Sequence, residues 1–557
     1  MTADARPLAA ALTAAPDAEV AALLRARGIV DRPALRDFFD LAEVLLEPTH
    51  VADALAALPA DLARAIATAD PSVAESHRAA LQSAALIGAD GAPYEAVRVA
   101  VATLPVPDLP ATRSVASVDS ATAAERAFTS VSAVADLLLA TYAHPIATIG
   151  SGAIGAADRR RLLEEDVVAA PEDVDAFVEI AAAAGLLRQV DREWQVTAQA
   201  HGWLNASTPD RWRSLALGLA ALAPEQLHDG DAWTPVSDWL LAYPWSPTWP
   251  TRAAELSRDA DLLGLFDPAS HAPTPWAAGD AAALSAHLPA EVDRVFLQND
   301  LSVIAPGPLA PELDLRLRSM AVRESHAQAS TYRFTAASVQ NALSHGESAT
   351  SITDFLGALS LTGVPQPLSY LVQESATRHG SITVSTDAAS GRTRVRTAND
   401  TLREMLAVDQ TLRSLGLVVD VGSLSTRVDR DLVALALAEA HYPVAVVDSD
   451  GRFEPLQRGR VAPETDDAPD ASAALVTRLR ESGGTDVEHA WLMRELDAAV
   501  RAKALLEVTV AMPGGESRTL LLEAAGLGGG RLRGRDRAAD VERTLPLSHI
   551  THVTVVR

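Results

Sequence analysis

Four arginines, Arg531, Arg533, Arg535 and Arg537, alternate with other residues directly after Gly528, Gly529 and Gly530. In an extended strand every second side chain lies on one face, so this spacing places four guanidinium groups in a row. Such a row has the chemistry to follow a phosphate backbone, because each guanidinium offers a fork of N–H donors to phosphate oxygens. Arg392, Arg394 and Arg396 form a shorter row of the same kind. The competing reading is a solvated face, with Asp536, Asp540 and Glu542 as partners of the first row and Asp387 and Asp400 diluting the second. Residues 473–557 hold 12 basic and 11 acidic residues, a net of +1, whereas the rest of the chain carries −27. The tail is therefore the region least hostile to a polyanion.

Other groups with reactive potential do not assemble into sites. His549 and His552 fall in a β-like stretch, where a spacing of three turns them to opposite faces, and no further metal ligand lies nearby in sequence. Gly150, Gly152 and Gly155 echo a dinucleotide-binding loop but sit among helical segments rather than in a βαβ frame. Trp233, Trp239, Trp245, Trp249 and Trp276 gather near Pro244, Pro247 and Pro250 without interleaved cations, which favours packing over base stacking. The single lysine, Lys503, has no glycine-rich flank, so there is no Walker A loop and no kinase-type lysine strand. A Gly-x-Ser-x-Gly elbow is missing, and with no cysteine there is no thiol nucleophile, disulfide or thiolate metal site. We expect no catalytic residue, no metal and no cofactor.

The formal charge is −26 over 557 residues, so any nucleic-acid contact depends on a local basic patch rather than on global steering. Hydrophobic residues at 48% and charged residues at 22% describe a folded chain of several domains. No signal peptide is evident, and charged residues break every apolar run before about 18 positions, which points to a cytoplasmic protein with no membrane partner.

The fold class expected is multidomain α+β. Periodic apolar residues predict a helical, winged-helix-like domain over 1–105, then a linker rich in Pro, Ser and Thr over 106–123. Three helices and a hairpin around Asp191 and Arg192 predict a winged helix within 124–285, followed by a helical extension. Its third helix carries Glu172, Asp173, Asp175 and Glu179, which repel phosphate and favour packing or protein contact. Residues 286–400 predict an α+β domain with strands around Asn299 and Asp300, helices at Pro311 and after Thr335, and a closing hairpin with Arg392, Arg394 and Arg396. An α/β extension over 401–455 includes a turn at Asp448, Ser449, Asp450 and Gly451. A linker over 456–472 leads to a small, strongly bent β barrel within 473–557.

FLQNDLSVIAPGPLAPELDLRLRSMA and the stretch from STYRFTAASVQNAL to RHGSITV resemble the helicase-associated domain similar to the N-terminal region of XPB-type DNA helicases, as found in actinobacterial proteins that lack the motor. The most specific elements are Phe296, Leu297, Gln298 and Asp300, then Tyr332 to Thr335, then Pro365 to Leu368 with Tyr370 and Leu371. The resemblance implies an accessory domain that touches DNA or a helicase and transfers no catalytic residue. ALLEVTVAMPGGESRTLLLEA and the segment through THVTVV are similar to WYL-type domains, Sm-like barrels that in some bacterial regulators bind nucleic-acid ligands. Arg543 matches that family's basic position ahead of its final strand, whereas the Trp-Tyr-Leu triplet is absent.

The function expected is a non-catalytic accessory factor for DNA repair or processing. It would bind single-stranded or forked DNA through Arg392, Arg394, Arg396, Arg531, Arg533, Arg535, Arg537 and Arg543, and/or bind an XPB-type helicase or other DNA-processing proteins. The alternative is a DNA-free scaffold or a ligand-responsive transcriptional regulator.

Overall fold

Apolar residues spaced three and four apart predict buried helical stripes in the first hundred residues, and the computed structural model buries them: Leu8, Leu12, Val20, Leu24, Phe38, Phe39, Leu41, Leu45, Val51 and Leu55. The structure describes residues 4–29, 35–68, 75–109, 120–325, 330–387, 390–440, 442–448, 453–454, 459–463, 470–482, 487–511 and 516–556. Most of the expected linker at 106–123, parts of that at 456–472, and Ser449, Asp450 and Gly451 of the expected turn lie outside the described residues. Two units emerge, each discontinuous in sequence. One combines Met1–Ala111, Leu240–Pro250 and Thr465–Arg557; the other combines Thr112–Trp239 and Thr251–Glu464.

In the first unit the helix Ala471–Ser482 adds Leu475, Val476 and Leu479 to the core of the N-terminal helices. Polar contacts fix the same seam. Arg480 binds Asp17 at 2.9 Å, and Arg494 binds Asp37 at 2.6 Å and Asp40 at 2.7 Å. Asp37 also caps the helix Phe38–Leu45 by accepting from the backbone N–H groups of Phe39 and Asp40. The segment Leu240–Pro250 is stitched in where Trp245 Nε1 donates to the Pro105 carbonyl at 2.9 Å.

The tail of this unit forms the expected β structure as a five-stranded antiparallel sheet. Its strand order is Val541–Pro546, Arg531–Asp536, Ser517–Gly528, Leu505–Ala511, Ile550–Val556. Among the described residues no ladder joins the two outer strands. Leu506, Val508, Leu520, Leu522, Ala524 and Leu532 bury one face, where Leu496 and Ala499 of the helix Val487–Ala502 join them. Gly534 lies on that face, and a Cβ there would sit 2.7 Å from the Glu523 carbonyl oxygen, so the strands approach only because the residue is glycine.

The second unit begins with three helices and a hairpin. Helices Ser120–Ala143, Ala156–Glu164 and Asp173–Ala183 precede the hairpin Leu187–Val190 and Glu193–Val196, whose inner strand also pairs with Ile146–Ala147. Asp191 and Arg192 both have positive φ, as a two-residue hairpin turn requires. Next comes a four-stranded sheet, Phe296–Leu297, Ser302–Ile304, Thr331–Arg333 and Val322–Ser325 in spatial order, with helices Pro311–Met320, Ala336–Ser344, Ala349–Leu359 and Gln366–Arg378. Thr335 and Ser348 start the second and third of these helices through capping boxes with Ser338 and Ser351.

A six-stranded sheet closes the unit in the order Val418–Asp420, Ser423–Thr426, Thr393–Thr397, Ile382–Thr386, Val444–Val447, Phe453–Glu454. This sheet runs across residue 400, where the sequence suggested a boundary. The hairpin that was to close one domain is the centre of a sheet whose other strands come from the expected extension. Two of those strands, Val418–Asp420 and Ser423–Thr426, were not anticipated.

Candidate nucleic-acid interface

The strand Arg531–Asp536 alternates strictly: Arg531, Arg533 and Arg535 are exposed, while Leu532, Gly534 and Asp536 are buried. Three of the four predicted arginines thus share a face, and Arg537 follows beyond the strand end. Register separates them further. Arg531 pairs with Gly528 and Pro546, and Arg533 with Gly526 and Thr544, so no carboxylate stands beside either. Among the described residues neither makes an ion pair or a side-chain hydrogen bond. Arg535 pairs with Glu523 and Glu542 across the sheet and holds Asp540 at 2.7 Å. Arg537 holds Glu523 at 3.0 Å.

Arg543 stands opposite Gly534, on the other face of the sheet from the exposed arginines. Its Nε donates to the buried Asp536 at 2.6 Å. That bond holds the Asp536 carboxyl below its usual range, helped by the N–H groups of Ala538 and Ala539. Arg543 therefore organises the turn after the arginine strand, and the open cationic pair is Arg531 with Arg533, about 7 Å apart along the strand.

In the second unit, Ile382, Val384, Val395 and Leu424 face a helical core formed with Leu406, Val433 and Leu437. The opposite face carries Thr383, Ser385, Arg394, Arg396 and Ser425, which are mutual cross-strand neighbours. Arg394 is answered by Asp387 at 3.2 Å. Arg396 is exposed and Arg392 half-buried, and neither has an ion pair among the described residues. The ladder between Thr393–Thr397 and Ser423–Thr426 ends at Thr393 opposite Thr426, and the exposed Arg427, a lone arginine after SLST without local signal, follows in the bend beyond it.

The helix Asp173–Ala183 presents its acids to protein. Arg258 binds Asp173 and Arg252 binds Glu179, both at 2.6 Å from the helix Trp249–Leu262, while Arg159 binds Asp175 at 2.6 Å. Between the first two pairs lies Asp259, 2% exposed, whose Oδ2 has no hydrogen-bond partner. Burial first, and Glu179 next, push its carboxyl up to about 7 against the opposing pull of Arg252 and Arg258. The helix Ser120–Ala143 is also tied to the four-stranded sheet region, because Asp136 is buried between Arg318 and Arg323. A DNA groove would have to displace these ion pairs to meet the acidic helix.

The tryptophans are packing residues. Trp233 and Trp239 form a ring cluster with Phe266, and the indole N–H groups of Trp212, Trp233, Trp239 and Trp276 all donate to backbone carbonyls. Gly150, Gly152 and Gly155 belong to a turn bridged by Thr148 and Ile154 ahead of the second winged-helix helix, with no parallel βαβ unit around it. His552 contacts Thr554, and no group of three metal-ligating side chains converges among the described residues.

Residues 295–419 match the family model described as the helicase conserved C-terminal domain. The match covers the stretches that carried the helicase resemblance, and its description is of a C-terminal helicase domain. Some of the resemblance residues are architectural: Leu297, Tyr332, Phe334 and Leu368 are buried, Thr335 caps a helix, and Pro365 precedes one. Phe296, Gln298, Asp300 and Tyr370 are exposed. No curated protein matches the chain. A helicase-related domain associates the chain with nucleic-acid processing. Among the described residues no helix is long and apolar enough to cross a membrane.

Proposed function

We propose that this chain is a non-catalytic, cytoplasmic accessory factor for DNA repair or processing, which binds single-stranded or forked DNA and works beside an XPB-type helicase. The observation that carries the reading is the pair Arg531 and Arg533, exposed, without counter-ions among the described residues and flanked by glycine in a chain of net charge −26. In so acidic a chain these are cations that a polyanion meets without first breaking an ion pair. The helicase-domain match supports the class of machinery, and the WYL-like strand pattern supports a nucleic-acid ligand for the tail. The ion-paired acids on the third winged-helix helix favour a second reading, a protein scaffold, for that part of the chain.

Fluorescence anisotropy of the full chain with labelled single-stranded, duplex and forked DNA across a salt series tests the proposal. Affinity should fall linearly in log salt, with single strands or forks preferred. Absence of binding at low salt would remove the nucleic-acid reading and leave the scaffold.

A further inference from the structure

Within the second unit a cleft of about 800 Å³ lies between the helices Ser120–Ala143, Ala336–Ser344 and Gln366–Arg378 and the end of the helix Arg430–Glu439. Clefts of that size hold small organic molecules. One wall is the first turn of Ala336–Ser344. Thr335 caps this turn by accepting from the Ser338 N–H at 3.0 Å, and Val339 donates to the Thr335 carbonyl at 3.1 Å. The N–H groups of Ala336 and Ala337 are left over, with no acceptor among the described residues, and both residues line the cleft. Two unspent donors at the positive end of a helix favour an anion. A buried hydroxyl asks for the same occupant. Ser375 lines the cleft and is 6% exposed, and its Oγ has no hydrogen-bond partner among the described residues. That oxygen is not among the unpartnered atoms sealed off from water, so an occupant of the cleft can reach it. The two helices bring these groups to one end of the cleft. Both run towards Val444: Ser344 Oγ donates to its carbonyl at 3.2 Å, and Ile382, just past Gln366–Arg378, pairs with it in the sheet. One turn earlier Gln340 Nε2 bonds His379 Nδ1 at 2.7 Å, and one turn before that pair stand Ala336 and Ser375.

Charge around the cleft agrees with an anionic ligand. Arg378, next to His379, also lines it, is 65% exposed and pairs only with Glu374 of its own helix. Such an exposed pair holds its partners weakly, so the guanidinium is free to turn to a ligand. The carboxylates on the walls are already answered: Asp136 by Arg318 and Arg323, Glu165 by Arg161 at 3.3 Å, and Glu439 by His144 at 3.8 Å. Two N–H groups, one hydroxyl and one guanidinium form a donor set for the three terminal oxygens of a phosphate, and the remaining volume has room for the organic group that carries it. We infer that this cleft binds a phosphomonoester of mononucleotide or sugar-phosphate size, its phosphate held by the Ala336 and Ala337 N–H groups, the Ser375 hydroxyl and Arg378.

The test uses the full chain, with adenosine 5′-monophosphate, ribose 5-phosphate, inorganic phosphate and adenosine as probes, read by calorimetric titration and by thermal unfolding. At least one of the two esters should bind and raise the melting temperature, adenosine should not, and inorganic phosphate should bind roughly tenfold or more weakly than that ester. Which ester binds better tells the mononucleotide from the sugar phosphate. Ala336→Pro removes one N–H at the first helical position, where proline fits, and Thr335 at φ −128° and ψ 161° already has the extended backbone that precedes a proline. Ala336→Pro and Ser375→Ala should each weaken the ester roughly tenfold and Arg378→Gln roughly threefold, while the melting temperature without ligand stays at the wild-type value for Ser375→Ala and Arg378→Gln. No binding of either ester would overturn the site, as would affinity that all three variants leave at the wild-type level, or inorganic phosphate binding as tightly as the esters. Arg531 and Arg533 take no part in the cleft, so its failure leaves the proposed function standing.

Discussion

Two strands of this chain share the pattern Arg-x-Arg-x-Arg, yet their neighbours treat the charges differently. In the tail strand the first two arginines face glycine, proline and threonine, while Arg535 and Arg537 are met by Glu523, Glu542 and Asp540. In the other strand the middle arginine is answered by Asp387, while Arg396 is exposed and Arg392 half-buried, neither with an ion pair among the described residues. An alternating charge pattern tells which residues share a face. Whether they are free to meet a ligand is decided across the sheet, by residues that register alone brings together.

The most direct way to break the comparison is charge reversal in the tail strand. Arg531→Glu with Arg533→Glu should cut single-strand affinity on the order of tenfold or more and lower the salt slope by about 2, whereas Arg535→Glu with Arg537→Glu should stay within about twofold. Equal losses from the two pairs, measured by anisotropy, would show that the carboxylate partners do not matter. A subtler change gives Arg533 the carboxylate it lacks. Gly526 stands opposite it with open space around its Cα, so Gly526→Glu should fit and reduce affinity about threefold to fivefold. The reverse experiment frees Arg535. Asp540→Asn combined with Glu542→Gln should raise affinity about twofold to threefold and steepen the salt dependence, and a flat response would limit the interface to Arg531 and Arg533.

The contrast between answered and unanswered charge extends to buried carboxylates. Asp536, bonded to Arg543, is held below its usual range, so its contribution to stability is present near neutrality and disappears as pH falls below about 4. Asp259 is raised from 3.8 to about 7, so the folded state binds its proton more tightly than the unfolded chain. Stability from that group is greatest below about pH 4, declines as pH rises towards 7 and levels off beyond. Asp259→Asn should remove this decline and raise unfolding free energy at pH 8 by on the order of 2 kcal/mol, read from denaturant titrations at pH 5 to 8. A wild-type curve without slope between pH 5 and 7 would place a counter-charge on Asp259.

Much of this was legible locally. Thr335 announced its helix because a hydroxyl three residues before Ser338 completes a capping box, and Arg531, Arg533 and Arg535 announced their shared face through a period of two. What depends on pairing was hidden. The strands Val418–Asp420 and Ser423–Thr426 are short and alternate too little to stand out, so the boundary expected at residue 400 falls inside the six-stranded sheet. Arg543 looked like a ligand-facing cation because nothing nearby in sequence says that it sits opposite Gly534, on the face of Asp536. The segment Leu240–Pro250 reads as a continuation of its flanking helices, yet Trp245 finds its acceptor at Pro105.

The seam that joins Asp17 and Asp37 to Arg480 and Arg494 spans 463 and 457 residues of chain. At roughly 5–20 residues per second on a ribosome, the partners of the first helices arrive about 20 to 90 seconds after those helices are made. Phe38 and Phe39, over which Arg480 and Arg494 finally lie, wait through that interval while the whole of the second unit is synthesised. Helices made hundreds of residues before their partners are thus completed late, and their apolar surface is the natural client of a chaperone in the meantime.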